Sequence, residues 1–283
     1  MTLKADLHNH SCFSPCGDLS MSPSVISRTA RKRGLKLVAL TDHNGALNTL
    51  AFAVTSARDG ILPLFGLELE TLEEVHLLAV FATPREALEF GQLMFRYLPK
   101  MPLDSVRFGD EAVVDADEQV LGLHEIWFGA SLDLSLDEAA MMAKQGGALV
   151  IPAHVDRPVN SISSQLGFLP DGPFDAVEAI RPVGAALSGG LPVITGSDAH
   201  FPEHIGRRAF SMELPDSLTS ALNLSLEAFY VKSWRFEPEL ETLDYKRFIE
   251  SSVCREYPEE EAHAVFEAVR REGLPGAAAF PFS

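Results

Sequence analysis

Histidine and carboxylate residues recur in this chain directly after short apolar runs. The groups concerned are Asp6-Leu7-His8-Asn9-His10, Thr41-Asp42-His43-Asn44, Gly66-Leu67-Glu68, Glu74-Val75-His76, Pro152-Ala153-His154 and Gly196-Ser197-Asp198-Ala199-His200. Imidazole and carboxylate groups are ligands that zinc, manganese and iron all accept in proteins. The pattern therefore predicts a site for several divalent metal ions.

The spacing inside these groups supports metal binding. His8 and His10 are two residues apart after a strand, and side chains alternate with period two in extended chain, so both imidazoles face the same side. Asp198 and His200 repeat this spacing. Glu68 carries two oxygens and so is able to bridge two metals, which a neutral imidazole cannot do.

Each group follows a segment that we predict to be a buried strand. The predicted strands are residues 4–7, 35–40, 61–69, 75–81, 148–152, 177–180 and 192–195. Helical segments alternate with them, for example from Pro23 to Gly34 and from Pro84 to about Leu98. The alternation indicates an α/β fold, and side chains that converge at successive strand ends favour a barrel over a doubly wound sheet.

Two regions depart from the alternation. Residues 99–135 mix proline, glycine and acidic residues, and we interpret them as a partly irregular insertion. From about residue 215 the strand pattern is lost, residues 259–271 read as a charged amphipathic helix, and residues 273–283 read as a loose tail. We therefore predict a metal-binding domain over residues 1–214 and a small helical extension over residues 215–283.

The amino-acid composition disfavours some classes of binding partner. The chain has 283 residues and a net charge of -17, which disfavours binding to long nucleic acids and to anionic membranes. The three cysteines are too few for a disulfide scaffold, and no secretory signal is evident, so we expect a cytoplasmic protein. The oligomeric state is not readable from the sequence.

These residues resemble the signature motifs of the PHP (polymerase and histidinol phosphatase) domain superfamily of metal-dependent phosphoesterases. Its four motifs occur in order as His8-Asn9-His10, Thr41-Asp42-His43, His154 and Ser197-Asp198-Ala199-His200. Glu68 and His76 match two additional ligand positions, and the resemblance covers roughly residues 3–212. It implies a distorted, TIM-like (β/α)7 barrel that holds two to three metal ions at its open end.

The resemblance also implies how the ligands divide among the metals. The implied sets are His8, His10, Glu68 and Asp198 for the first metal, Glu68, His76 and His154 for the second, and His43, His200 and one loop residue for the third. We expect Asp18, a hard oxygen donor, to be the loop residue, with Cys16 as the alternative. Cys12 and Cys16 would shift selectivity towards zinc, and zinc, manganese and iron all stay open.

The implied reaction is hydrolysis of a small phosphomonoester or nucleotide-like substrate by a metal-bridging hydroxide. The residues assigned to catalysis are Glu68, His200 and Arg157, and Arg157 is also predicted to clamp the phosphate because arginine matches phosphate oxygens bidentately. Arg181 and His204 are weaker candidates for substrate contact. The substrate itself is not identified.

Other activities are compatible with parts of the pattern. Metal-dependent amidohydrolases also begin with His-x-His after a first barrel strand, but they commonly use a bridging modified lysine, and no lysine ends a central strand here. Some PHP domains are non-catalytic modules that have lost metal ligands, whereas this chain keeps the full set. Nuclease activity on a long polymer is disfavoured by the net charge.

Overall fold

The computed structural model describes residues 1–233 and 243–280 of the chain. Its strands are β1 (Thr2–Asp6), β2 (Leu37–His43), β3 (Leu62–Glu70), β4 (His76–Phe81), β5 (Ala112–Val114), β6 (Val120–Leu123), β7 (Leu149–Pro152), β8 (Val177–Glu178), β9 (Val193–Ile194) and β10 (Phe210–Glu213). Its α-helices are α1 (Pro23–Lys32), α2 (Thr49–Asp59), α3 (Pro84–Met94), α4 (Ser105–Phe108), α5 (Leu136–Gln145), α6 (Ile162–Gln165), α7 (Ala185–Ser188), α8 (Asp216–Ser233), α9 (Tyr245–Ile249), α10 (Ser252–Glu256) and α11 (Glu259–Ala268).

The central sheet curls into the wall of a barrel. Its strand order is β10-β1-β2-β3-β4-β7, with β1, β2 and β3 parallel to one another. Backbone hydrogen bonds continue round the wall, from Val155 N–H to the Glu178 carbonyl (2.8 Å) and from His10 N–H to the Ala199 carbonyl (3.0 Å). The predicted distorted TIM-like α/β barrel is confirmed, as a curled mixed sheet.

The sheet is mixed because β4 returns directly from β3 through a tight turn and runs antiparallel to both of its neighbours. A Cβ atom at Gly66 would lie 2.4 Å from the Ala79 carbonyl oxygen, so only glycine at this position lets β4 approach β3 so closely. Strand β10, which pairs antiparallel with β1, was not predicted. Its residues, Phe-Ser-Met-Glu, do alternate between apolar and polar, and their burial alternates accordingly, but the signal spans only four residues.

The C-terminal helices pack onto the barrel. Leu222 and Phe229 of α8 and Phe248 of α9 belong to the same hydrophobic core as the barrel strands. Helix α11 continues as a π-helical turn over Val269–Gly273, and Ala278 in the predicted tail pairs with Ser211 of β10. Residues 234–242 and 281–283 of the predicted extension lie outside the described residues, and the boundary at residue 214 stays a prediction.

The insertion has some regular structure. Helix α4 and the antiparallel hairpin β5–β6 lie within residues 99–135. The side chain of Asn44, just after β2, donates to the carbonyls of Phe128 (2.8 Å) and Ala130 (2.9 Å), which fastens the insertion to the barrel mouth. Within the described ranges, no helix is long and apolar enough to cross a bilayer.

Candidate metal centre

The predicted metal ligands, apart from Asp18, come together at one end of the barrel. His8 and His10 follow β1, His43 ends β2, Glu68 lies in β3, His76 begins β4, His154 follows β7, and Asp198 and His200 follow β9. Because β4 runs opposite to β3, its first residue lies at the same end as the last residues of the parallel strands. All of these side chains except His200 are buried.

The first donor group consists of His8, His10, Glu68 and Asp198. The two oxygens of Glu68 lie 3.2 Å from His8 Nε2 and 3.2 Å from His10 Nε2, and Asp198 Oδ1 lies 3.4 Å from His10 Nε2. These are the four residues that the family resemblance implies for the first metal.

The contacts of this group fit a cation. His8 Nδ1 faces a carboxylate and His10 Nδ1 faces the Ser14 hydroxyl (3.1 Å), so the Nδ1 protons are used there and both Nε2 lone pairs stay free. The two Nε2 atoms nevertheless face each other at 3.1 Å. Two imidazole nitrogens at this distance need a proton or a cation between them. In the metal-free protein the raised pKa of His8 supplies the proton, and a divalent metal with carboxylate ligands would take its place.

A second group surrounds the same carboxylate. His76 Nδ1 lies 2.8 Å and His154 Nε2 lies 3.1 Å from Glu68 Oε1, while His43 Nε2 lies 3.4 Å from Oε2. The ligand atoms of His43, Glu68 and His76 lie within 4.8 Å of one another. Glu68 thus stands between two sets of imidazoles, which is the position that a bridging ligand requires.

A third group contains Cys16 where Asp18 was expected. The ligand atoms of His10, Cys16, His43 and His200 lie within 4.8 Å of one another. The structure does not bring Asp18 into this group, because its exposed carboxylate accepts hydrogen bonds from the Ser20 backbone N–H (2.9 Å) and hydroxyl (2.5 Å). The loop side chain in this donor group is therefore the Cys16 thiol and not the Asp18 carboxylate.

The electrostatics of the centre follow from burial and crowding. Burial alone would raise the pKa of Glu68, but the charges of His76, His8 and His43 outweigh it and hold that pKa well below its ordinary value. Burial likewise opposes protonation of His8, yet Glu68 and Glu178 raise its pKa well above the ordinary value. Burial and the charge of His10 lower the pKa of His200 to about 4. Glu68 is an anionic ligand at neutral pH.

Glu178 is a buried residue of this centre that the sequence reasoning missed. Its carboxylate accepts from His8 Nδ1 (3.0 Å) and from the His154 backbone N–H (3.2 Å), and it packs against Gly196, where a Cβ atom would lie 2.1 Å from Oε2. One carboxylate therefore touches the segments that follow β1, β7 and β9. The available signal was an acidic residue inside the apolar strand predicted at 177–180.

We expect Glu178→Gln to weaken metal binding at the first donor group by about 10–100-fold, because the neutral amide no longer holds the His8 ring as a carboxylate does. The measurement is titration of the metal-free protein with zinc in competition with a chromophoric chelator. Glu267→Gln, a substitution of a surface glutamate on α11, is the matched control. Unchanged zinc affinity in Glu178→Gln would contradict this role.

Two of the candidate ligand residues have strained backbones. His154 has φ 31° and Asp198 has φ 48°, in the left-handed region that favours glycine. Arg207 donates to the carbonyls of Ser197 (2.8 Å) and Asp198 (3.2 Å), and Arg208 donates to the carbonyl of Gly196 (2.8 Å). These two arginines hold the segment that carries Asp198 in place.

Only one of the three residues predicted to contact the substrate lines the cleft. Arg157 lines the cleft above the donors, and its Nη1 donates to Asp198 Oδ2 (3.0 Å). The Arg181 side chain is 74% exposed and pairs with Asp156, which places it outside the cleft lining. His204 packs edge-on against Phe201 and is not part of that lining either.

The cleft above the donors has a volume of about 260 Å³. Its lining includes Cys16, His43, Glu68, Asp198 and His200 at the base, together with Arg157 and Asn160. Phe108, Trp127 and Gly129 of the insertion also line the cleft. His124, also in the insertion, packs against Phe13, Phe95 and Phe128 and does not reach the cleft.

Comparison with known proteins agrees with this arrangement. Residues 6–113 match the sequence profile of the PHP domain, and residues 184–223 match that of the PHP-associated region. A 65-residue stretch is 40% identical to the error-prone DNA polymerase of Nocardia farcinica. That stretch is 23% of this chain and only 6% of the polymerase.

Several solved structures are similar to this chain, and two endonucleases among them share its fold. The lesion-specific endonuclease from Pyrococcus furiosus superposes with a TM-score of 0.55 at 20% identity, over 81% of this chain and 56% of that one. Endonuclease Q in complex with a 27-mer duplex substrate gives 0.58 at 21% identity, over 81% and 57%. This chain therefore spans little more than half the length of these endonucleases. The chain contains a PHP domain with a PHP-associated region, and it carries the buried His, Glu and Asp cluster of a metal-dependent phosphoesterase.

Proposed function

We propose that this chain hydrolyses a small phosphate ester, a phosphomonoester or nucleotide-like compound, at the mouth of the barrel. The observation that carries the proposal is the position of Arg157 in one cleft with the three donor groups. Bound divalent cations supply a water of lowered pKa and offset the charge of the phosphoryl oxygens. The cleft of about 260 Å³ lies just below the range of about 300–1,000 Å³ that is usual for small-molecule sites, so it suits a small substrate.

Arg157 has two roles in this proposal. Its Nη1 pairs with Asp198, which orients that carboxylate towards His10. The side chain is still 34% exposed, so it keeps N–H donors for a phosphoryl oxygen. The net charge of -17 disfavours a long polyanion, in contrast to the matched endonuclease that binds a 27-mer duplex.

The test is hydrolysis of p-nitrophenyl phosphate and of bis(p-nitrophenyl) phosphate by protein loaded with zinc or manganese. We expect the monoester to be the better substrate, with activity that is lost on chelation and restored by the metal. Arg157→Ala should lower kcat/KM by about 10–100-fold, since a hydrogen bond to a charged group contributes about 1.5–3 kcal/mol.

Arg271→Ala is the matched control, because Arg271 is 76% exposed and pairs with Glu267 on the C-terminal helices. A preference for the diester would replace the phosphomonoesterase proposal with a phosphodiesterase. Hydrolysis that persists after complete removal of the metals would contradict the metal-dependent reaction itself.

A further inference from the structure

An aromatic pair from the insertion forms one wall of the cleft. Phe108 ends α4 and Trp127 follows β6, and their rings stack with centroids 4.6 Å apart and planes 16° apart. Both side chains are half-buried and line the same cleft as His43, Glu68 and His200. The insertion therefore places two stacked rings beside the metal donors.

The wall also carries a polar group without a partner. The indole N–H of Trp127 is buried and has no hydrogen-bond acceptor in the part of the chain that the structure describes. Leaving such a donor unpaired is unfavourable, and an acceptor on a bound ligand would remove that penalty. A Cβ atom at Gly129 would lie 2.7 Å from Trp127 Nε1. Only glycine at position 129 therefore leaves room for the indole in this position.

One flat cation already lies against the Phe108 ring. The guanidinium of Arg107, an exposed residue, lies 4.9 Å from the centre of the Phe108 ring. A planar cation beside an aromatic ring is a favourable arrangement, and a nucleobase presents a flat surface of the same kind.

We propose that Phe108 and Trp127 bind the nucleobase of a nucleoside monophosphate whose phosphate reaches the metal donors, an inference that rests on the phosphoesterase function proposed above. A nucleobase combines the two features that the wall requires, a planar apolar face and hydrogen-bond acceptors at its edge. A sugar phosphate lacks the planar face, and a phenyl phosphate lacks the acceptor.

The test compares adenosine 5′-monophosphate with ribose 5-phosphate, because both are phosphate esters of the same ribose carbon and differ by the base. Stacking on an aromatic side chain contributes about 1–3 kcal/mol per base, so the metal-loaded protein should prefer the nucleotide in kcat/KM by about 5–150-fold. Phe108→Ala and Trp127→Ala should each reduce this ratio towards one. Gly129→Ala should also reduce it, because the added Cβ displaces the indole without removing it.

Phe168→Ala is the matched control. Phe168 is 60% exposed and lies outside the cleft lining, so its loss should leave the ratio as it is in the unmodified protein. Equal kcat/KM values for the two substrates in the unmodified protein would overturn the nucleobase site and leave the phosphoesterase proposal standing.

A binding measurement keeps the two proposals separable. The chain has two tryptophans, so Trp234→Phe leaves Trp127 as the single fluorescent indole. Adenosine 5′-monophosphate should change its emission saturably and ribose 5-phosphate should not. If neither compound is hydrolysed but the nucleotide alone changes the emission, the nucleobase site is supported and the proposed phosphoesterase reaction is contradicted. If neither compound changes the emission, the base site is rejected.

Discussion

Glu68→Gln is expected to remove at least one metal ion per chain and to lower kcat/KM by about 10³-fold or more. Glu68 is the carboxylate shared by the first two donor groups, with His8, His10, His76 and His154 all within 3.2 Å of its oxygens. A glutamine side chain offers only one oxygen and no charge. Metal ions contribute several kcal/mol to transition-state stabilisation, and each 1.36 kcal/mol corresponds to tenfold in rate.

Elemental analysis and steady-state kinetics of the variant test this expectation, with circular dichroism to verify that it folds. Glu267→Gln, on the surface of α11, controls for the loss of one negative charge. A Glu68→Gln protein that keeps its full metal content and its kcat/KM would show that Glu68 does not bridge metals.

Cys16→Ser is expected to change the third donor group, whereas Asp18→Asn is not. We propose that the Cys16 thiolate completes this group with His43 and His200, because its sulfur lies within 4.8 Å of their ligand atoms. Cys16 is exposed at the cleft, but the protein around it and the nearby carboxylates raise the pKa of the free thiol well above its ordinary value, and a bound cation would reverse that preference. A soft sulfur donor favours zinc over manganese at this position.

Cobalt substitution provides the measurement. The cobalt-loaded protein should show a sulfur-to-cobalt charge-transfer band that Cys16→Ser loses and Asp18→Asn keeps. The buried thiol of Cys12, which points to the Ala112 carbonyl, supplies a second control through Cys12→Ser. A band that disappears in Asp18→Asn but survives in Cys16→Ser would restore the assignment made from the sequence.

The barrel and the set of residues at its mouth could be predicted from the sequence because both depend on short-range patterns. The period of two places His8 and His10 on one side of an extended segment, and buried strands such as β2 show as continuous apolar runs. The direction of loop side chains follows from local hydrogen bonds instead. The hydroxyl of Ser20 donates to the Asp18 carboxylate and holds it away from the donor groups. The position of Asp18 in the sequence does not predict this hydrogen bond.

Contacts between segments far apart in the sequence could not be predicted either. Glu178 is 170 residues from His8, and Asp156 holds Arg181 away from the cleft that its strand-end position had suggested. The insertion shows no period that would bring Phe108 next to Trp127. The segments that carry them are joined by backbone hydrogen bonds from Leu103 N–H to the Glu125 carbonyl (2.8 Å) and from Trp127 N–H to the Met101 carbonyl (2.9 Å), which only the folded chain provides.

The most direct test of the metal centre is the metal-to-chain ratio of the purified protein after incubation with zinc or manganese and removal of the excess. The structure predicts two to three tightly bound ions per chain, because three donor groups share the ligands at the barrel mouth. The same sample should hydrolyse p-nitrophenyl phosphate and lose that activity on chelation. A ratio well below one ion per chain would contradict the central claim that these strand ends form a multinuclear metal site.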